Sequence, residues 1–277
     1  MFRTLRATDR QGTRRALPVF GRCTHDYREL VARTRDQDAC PGALQVHRAA
    51  DGALARMRLP GGVITAPQLQ ALARAATDWG AGTLELTSRG NLQIRGVTDT
   101  AAVAEAAAAA DLLPSATHER VRNIVASPLS GRVGPPATDI RGLVIDLDEA
   151  IRADPELAGL PGRFMFGIDD GRGDISGLGP DVGVHFDGEV AALLLAGRDT
   201  GVRLPGSSAV PTMLAVARRF AAERGNAWRV KELDDIGPLL LGLPPSETPG
   251  MTWPAVTRPP VGWLEQHDGR IALGAAV

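Results

Sequence analysis

Thr83-Leu84-Glu85-Leu86-Thr87-Ser88-Arg89-Gly90-Asn91-Leu92-Gln93-Ile94-Arg95-Gly96 is the stretch whose pattern decides the fold. Side chains alternate between the two faces of an extended strand. Leu84, Leu86, Leu92 and Ile94 therefore share one face of a hairpin, and Glu85, Thr87, Gln93 and Arg95 share the other. Ser88-Arg89-Gly90-Asn91 supplies the turn. Upstream, residues 53–59 alternate as well, with Ala55, Met57 and Leu59 opposite Leu54, Arg56 and Arg58. Pro60-Gly61-Gly62 breaks that strand. Thr65 then offers an N-cap, with Pro67 in the first turn of a helix. Leu69, Leu72, Ala73, Ala76 and Trp79 recur at helical spacing until Gly80 and Gly82 end the run. Downstream, residues 101–112 form an alanine-rich helix. Strand, helix, strand, strand, helix is the ferredoxin-like α/β plait, an α+β fold whose helices cover one sheet face and leave the other for a ligand.

Beyond this unit, residues 120–250 read as a second α/β region. It has a strand over 121–126, a helix over 139–152, strands over 163–168, 183–186 and 190–195, and a helix over 210–224. A glycine-rich loop, 169–181, is expected to join two of those strands as a hairpin connection. Pro244-Pro245 and Pro259-Pro260 bracket a linker, after which 261–277 reads strand, Asp268-Gly269 turn, strand. The expected organisation is an Arg-rich arm over 1–42, a ferredoxin-like half-domain over 43–115, an α/β domain over 120–250, and the start of a further ferredoxin-like unit over 258–277.

Composition narrows the function classes. The 277 residues carry 31 basic and 32 acidic side chains, which lacks the basic surplus of a dedicated nucleic-acid binder. No apolar run is long enough to span a membrane, and the first 35 residues scatter arginines where a secretory signal needs an apolar stretch. A cytoplasmic protein is expected. Lys231 is the only lysine, so the basic side chains are almost all arginine. A GC-rich genome explains that bias, and so does a demand for planar forks that grip carboxylates.

Arg58, Thr87, Arg89, Gln93 and Arg95 converge on one sheet face. Like charges gathered in this way are relieved by an anion such as a carboxylate or phosphate. Spacing alone equally allows a solvated outer face. Asp169, Asp170, Asp174 and Asp181 hint at a calcium loop, but no glutamate stands at the twelfth position of an EF-hand frame, and no metal site is expected. His25, His47, His118, His185 and His267 show no metal-ligand spacing, and Cys40 has no evident partner to activate it.

Four ordered stretches resemble the nitrite and sulfite reductase family: Arg56-Met57-Arg58-Leu59-Pro60-Gly61-Gly62-Val63-Ile64-Thr65, the hairpin from Leu86 to Gly96, Val121-Arg122-Asn123-Ile124-Val125-Ala126-Ser127-Pro128, and Leu160-Pro161-Gly162-Arg163-Phe164. Within that family the chain is most similar to the precorrin-3B synthases, on Cys40-Pro41-Gly42-Ala43-Leu44, Ala227-Trp228-Arg229 and the ending from Val261 to Val277. The resemblance implies the family's half-domain followed by its α/β domain. It also implies a carboxylate-rich tetrapyrrole as partner, siroheme in the reductases or a precorrin in the synthases. Arg58, Thr87, Arg89, Asn91, Gln93, Arg95, Arg122 and Asn123 would hold its acidic side chains, with Arg163 at a cationic active-site position.

Two departures qualify the resemblance. Sulfite reductases place a further cation where this chain has Met165, and another often stands at Gly162. Oxygen-dependent hydroxylation and lactone formation on a precorrin is therefore expected in preference to reduction of a small oxyanion. The family's 4Fe-4S cluster hangs on paired cysteines in a second half of the repeat, and neither Cys23 nor Cys40 matches those positions. The expectation is that this second half is missing, so that no cluster forms on this chain alone. Activity would need a separately encoded C-terminal half. The alternatives are a siroheme-dependent nitrite/sulfite reductase fragment, a non-catalytic tetrapyrrole-binding module, and a truncated remnant without function.

Overall fold

The computed structural model describes residues 40–49, 52–134, 138–246, 250, 252–253 and 260–274. The chain divides into two units, Met1–Asp36 and Gln37–Val277, and every described residue lies in the second. The expected Arg-rich arm over 1–42 falls almost wholly outside the described residues, as do parts of the expected linker and the last three positions.

The first sheet has four antiparallel strands: β1 (His47–Ala49), β2 (Gly52–Met57), β3 (Leu84–Leu86) and β4 (Leu92–Val97), in the order β1-β2-β4-β3. Helix α1 (Ala66–Trp79) joins β2 to β3, and α2 (Thr100–Ala109) follows β4. Thr65 and Gln68 cap α1 reciprocally, each side chain meeting the other's backbone N–H. Asp99 caps α2 through the Ala102 N–H. The face bearing Ala55, Met57, Leu92 and Ile94 packs on Leu72, Ala75 and Ala76 of α1 and on Val103 and Ala107 of α2, as alternation requires. β1 was not expected, because three residues are too few to show a period.

The second sheet orders β5 (Ile124–Ala126), β6 (Phe166–Asp169), β7 (Val182–Asp187), β8 (Val190–Leu195) and β9 (Arg198–Pro205) in chain order. β5, β6 and β7 are parallel, whereas β7, β8 and β9 form an antiparallel meander. The 169–181 loop is therefore not the expected hairpin connection. It returns the chain to the starting end of a parallel neighbour, through a 3-10 turn at Ser176–Leu178. Side-chain alternation is the same for both pairings, so the sequence pattern could not separate them.

Helix α3 (Arg141–Ala153) links β5 to β6, and α4 (Ala209–Glu223) follows β9. Phe164, Phe166 and Phe220 meet beneath these helices in the larger core, with ring centroids 5.1 and 4.9 Å apart. Aromatic pairs at such separations add to the stabilisation from burial alone. A last hairpin, β10 (Gly262–Glu265) with β11 (Ile271–Gly274), closes through the expected Asp268-Gly269 turn. None of the described helices is long and apolar enough to cross a membrane.

Candidate functional site

The polar face of the first sheet is a ladder across three strands. Gln93 lies in register with Glu85 on one side and Arg56 on the other. Its Oε1 accepts Arg56 Nε at 3.1 Å and Nη2 at 2.7 Å, while its Nε2 donates to Glu85 Oε2 at 2.6 Å. Arg95 Nε reaches the same Glu85 oxygen at 3.1 Å. The face is thus not free of acidic neighbours, and Arg56, which alternation placed there, belongs to the site.

Where β2 ends, the chain turns toward the second sheet, and the remaining side chains lie along that junction. Arg58 is 3% exposed. Its Nε donates to the Arg120 carbonyl at 3.1 Å, and its Nη2 meets Cys40 Sγ at 3.1 Å and the Gly162 carbonyl at 3.4 Å. Cys40 Sγ also donates to the Gly162 carbonyl at 3.3 Å and faces Arg56 Nη1 at 3.9 Å. Cys40 therefore does have partners: two guanidiniums from the end of β2, 16 and 18 residues along the chain.

Thr87 holds the β3–β4 turn, its hydroxyl accepting the N–H groups of Arg89 and Asn91. Asn91 Oδ1 accepts the Leu59 N–H at 2.9 Å, and its Nδ2 donates to Asn123 Oδ1 at 3.2 Å. Asn123 Nδ2 in turn donates to the Phe164 carbonyl. Arg122, 5% exposed, closes both arms of its fork on Asp148 of α3, at 2.6 and 2.9 Å. The structure thus divides the nine candidates: Arg58, Thr87, Asn91, Gln93, Arg122 and Asn123 are committed to internal bonds that shape the junction, while Arg89, Arg95 and Arg163 keep accessible surface.

Arg89 Nη1 donates to the Arg163 carbonyl at 3.1 Å. Burial, with the nearby Arg229 charge, pulls the Arg89 guanidinium down to about 10. Burial and the Arg58 charge lower Arg56 in the same direction. The exposed Arg163 lays its guanidinium over the Trp228 ring, 5.0 Å from the centroid. Behind it, Arg229 pairs with buried Asp181 at 2.6 Å. Met165, two residues beyond Arg163, is buried with Val125 and Ile175 and presents no cation. Sequence patterning missed Cys40, Trp228 and Arg229 as site members, since nothing local ties them to the hairpin.

This architecture recurs in a solved structure, the Mycobacterium tuberculosis NirA protein, with a TM-score of 0.63 at 21% identity, over 80% of this chain and 46% of that one. Residues 46–110 match the model of the nitrite/sulfite reductase ferredoxin-like half domain. That segment is similar to the half domain carried by nitrite and sulfite reductases. The match takes in the whole polar ladder and the Thr87-to-Asn91 turn.

Relatives extend the likeness past the half domain. A precorrin-3B synthase from Sinorhizobium sp is 30% identical over 205 residues, 71% of this chain and 44% of that protein. Ferredoxin–nitrite reductases from Synechococcus elongatus and Leptolyngbya laminosa are 34% and 32% identical, over 43% and 41% of this chain and about a quarter of theirs (25% and 24%). The chain spans less than half the length of the relatives it matches.

Proposed function

We propose that the nitrite/sulfite reductase half domain and the adjoining α/β domain hold a carboxylate-rich tetrapyrrole, and that the chain serves in a precorrin-3B synthase-like oxidoreductase of cobalamin synthesis. One observation carries the binding reading. Arg56, Arg58, Arg89 and Arg163 gather along the junction and none forms an ion pair with a described carboxylate. Uncompensated guanidiniums favour a ligand that brings its own negative charges, and their planar forks match carboxylates two oxygens at a time.

The residues present fit such a ring. Arg89, Arg163, Arg56 and Arg95 would take its acidic side chains. Arg58, Asn91 and Asn123 would act beneath them, holding the two sheets at a constant separation so that the macrocycle meets a preformed surface. A bound siroheme would supply electron transfer to a small oxyanion; a bound precorrin would instead be the substrate, taking one oxygen atom from O2 and closing a lactone while two electrons from an external donor and two protons reduce the other atom to water. A 4Fe-4S cluster needs four thiolates, and the two cysteines of this chain do not fit it.

The Sinorhizobium relative and apolar Met165 support the synthase reading, because oxyanion reduction benefits from added positive charge at the reacting centre. The two nitrite reductase relatives support a second reading, siroheme-dependent reduction. Titration of the purified chain with siroheme, and separately with a precorrin, tests the binding step by absorbance. Arg89→Ala and Arg163→Ala are each expected to weaken binding about tenfold or more, from the loss of a charged hydrogen bond. Affinity indifferent to both substitutions overturns the reading. Oxygen consumption with the precorrin, against nitrite consumption with siroheme, separates the two chemistries. Tight binding with neither activity, even when a cluster-bearing C-terminal half is supplied, leaves a non-catalytic tetrapyrrole module.

A further inference from the structure

Away from the arginine junction, the loop after β6 gathers charge of the opposite sign. Asp169, Asp170 and Asp174 are 0%, 2% and 5% exposed, and an oxygen from each lies within 4.8 Å of the others. Arg172 is the one guanidinium bonded to them among the described residues, chelating Asp170 at 2.8 and 3.0 Å. The His185 imidazole stands 3.5 Å from Asp169, so Asp169 and Asp170 each have a nitrogen partner and Asp174 has none among the described side chains, an arrangement that is costly for a carboxylate in a protein interior.

The three carboxylates are not equally satisfied. Asp169 accepts N–H groups from Gly171, Gly173, Ile175 and Ser176 together with the Ser176 hydroxyl. Asp174 Oδ1 accepts the Ser127 hydroxyl at 2.6 Å, but its Oδ2 is buried with no hydrogen-bond partner. A buried oxygen left unpaired beside two further carboxylates calls for a positive partner.

We infer that this loop binds a hard divalent cation of the calcium or manganese class, with Asp174 Oδ2 as the leading ligand and Asp170 and Asp169 beside it. The spacing suits the ion. Calcium–oxygen distances of about 2.4 Å place ligand oxygens up to about 4.8 Å apart across the metal. The loop stands at the carboxyl ends of parallel strands β5 and β6, where open α/β sheets commonly receive ligands. A cavity of about 920 Å³ open to solvent has Asp170, Gly171 and Arg172 in its lining, at the edge of this cluster. The proposal departs from the metal-free expectation for the loop, and it is independent of the tetrapyrrole reading.

Isothermal titration of the full chain, stripped with chelator, with CaCl2, MgCl2 and MnCl2 is the test. One equivalent bound, with a raised melting temperature, is expected for calcium or manganese. Asp174→Asn keeps the acceptor for Ser127 and removes the charge, so it should weaken that binding at least tenfold. Asp139→Asn, at an exposed carboxylate outside the loop, should leave it unchanged. Absence of saturable binding at millimolar concentrations in the wild-type chain overturns the inference, whether or not the variants fold. So does binding that Asp174→Asn and Asp170→Asn both leave intact.

Discussion

Asn91 and Asn123 meet across the junction of the two sheets, Nδ2 to Oδ1 at 3.2 Å, and each spends its other amide atom on backbone, Asn91 on the Leu59 N–H and Asn123 on the Phe164 carbonyl. A chain of three hydrogen bonds thereby links the end of β2, the β3–β4 turn, the entry to β5 and the entry to β6. Arg89 lies on that turn and Arg163 immediately precedes Phe164. Their separation is set by this clip.

Breaking it leaves buried backbone groups without partners. Asn123→Ala is expected to cost about 1–3 kcal/mol, the usual penalty for an orphaned buried donor or acceptor. Urea unfolding of Asn91→Ala, Asn123→Ala and the double variant measures this. The double variant should lose less than the sum of the singles, because both remove the same bond.

The Arg122–Asp148 pair gives a sharper contrast. Removing one member of a buried ion pair costs about 3–5 kcal/mol. Asp148 retains Arg152 at 3.2 Å when Arg122 is lost, whereas Arg122 has no second carboxylate among the described residues. Asp148→Asn should therefore destabilise more than Arg122→Met. In chemical denaturation the two should rank that way, and tetrapyrrole affinity of the folded Arg122→Met protein should match the wild type.

Glu119 sits in a backbone cradle, accepting N–H groups of Ala43, Leu44 and Gln45 at 2.7–3.2 Å. A Cβ on Gly42 would fall inside its carboxylate. Gly42→Ala is expected to cost about 1–3 kcal/mol in thermal melts, as overpacking does. Adding Glu119→Ala to that variant should cost little more, since the cradle is already disturbed.

The pH dependence of ligand binding follows from Arg89, whose guanidinium is lowered to about 10. Only the protonated form attracts a carboxylate. Affinity for a tetrapyrrole should be level below pH 9 and fall as pH rises through about 10, where Arg89 loses its proton. Because the bound carboxylate favours the charged form, the decline extends above 10 in the complex. In Arg89→Ala the affinity is lower throughout and this inflection is gone, which absorbance titrations between pH 8 and 11 will show.

The hairpin and its two faces were legible from residues 83–96 because a period of two is a local property, and Leu92 and Ile94 indeed lie in the core beside Ala55 and Met57. The α1 cap at Thr65 was legible for the same reason. β9 was not: Arg198, Asp199, Thr200, Gly201 and Arg203 interrupt any apolar alternation, and the strand is held by pairing with β8 and by the Arg203–Asp199 pair at 2.8 Å. The direction of β7 relative to β6 was equally hidden, since facing is blind to polarity.

What the residues determine unaided is which side chains share a surface, because φ/ψ preferences, caps and breakers act over a few positions. Where each arginine fork ends up is decided only by the tertiary structure. Arg122 and Asp148 are 26 residues apart, Arg58 and Gly162 104 apart, and Asp181 and Arg229 come from different elements. Guanidiniums that look alike along the chain become buried struts or keep exposed surface according to how fully folding surrounds them with carboxylates, carbonyls and packed neighbours. That partner is a property of the packed chain, and it leaves Arg89 and Arg163 open while Arg58 and Arg122 are closed.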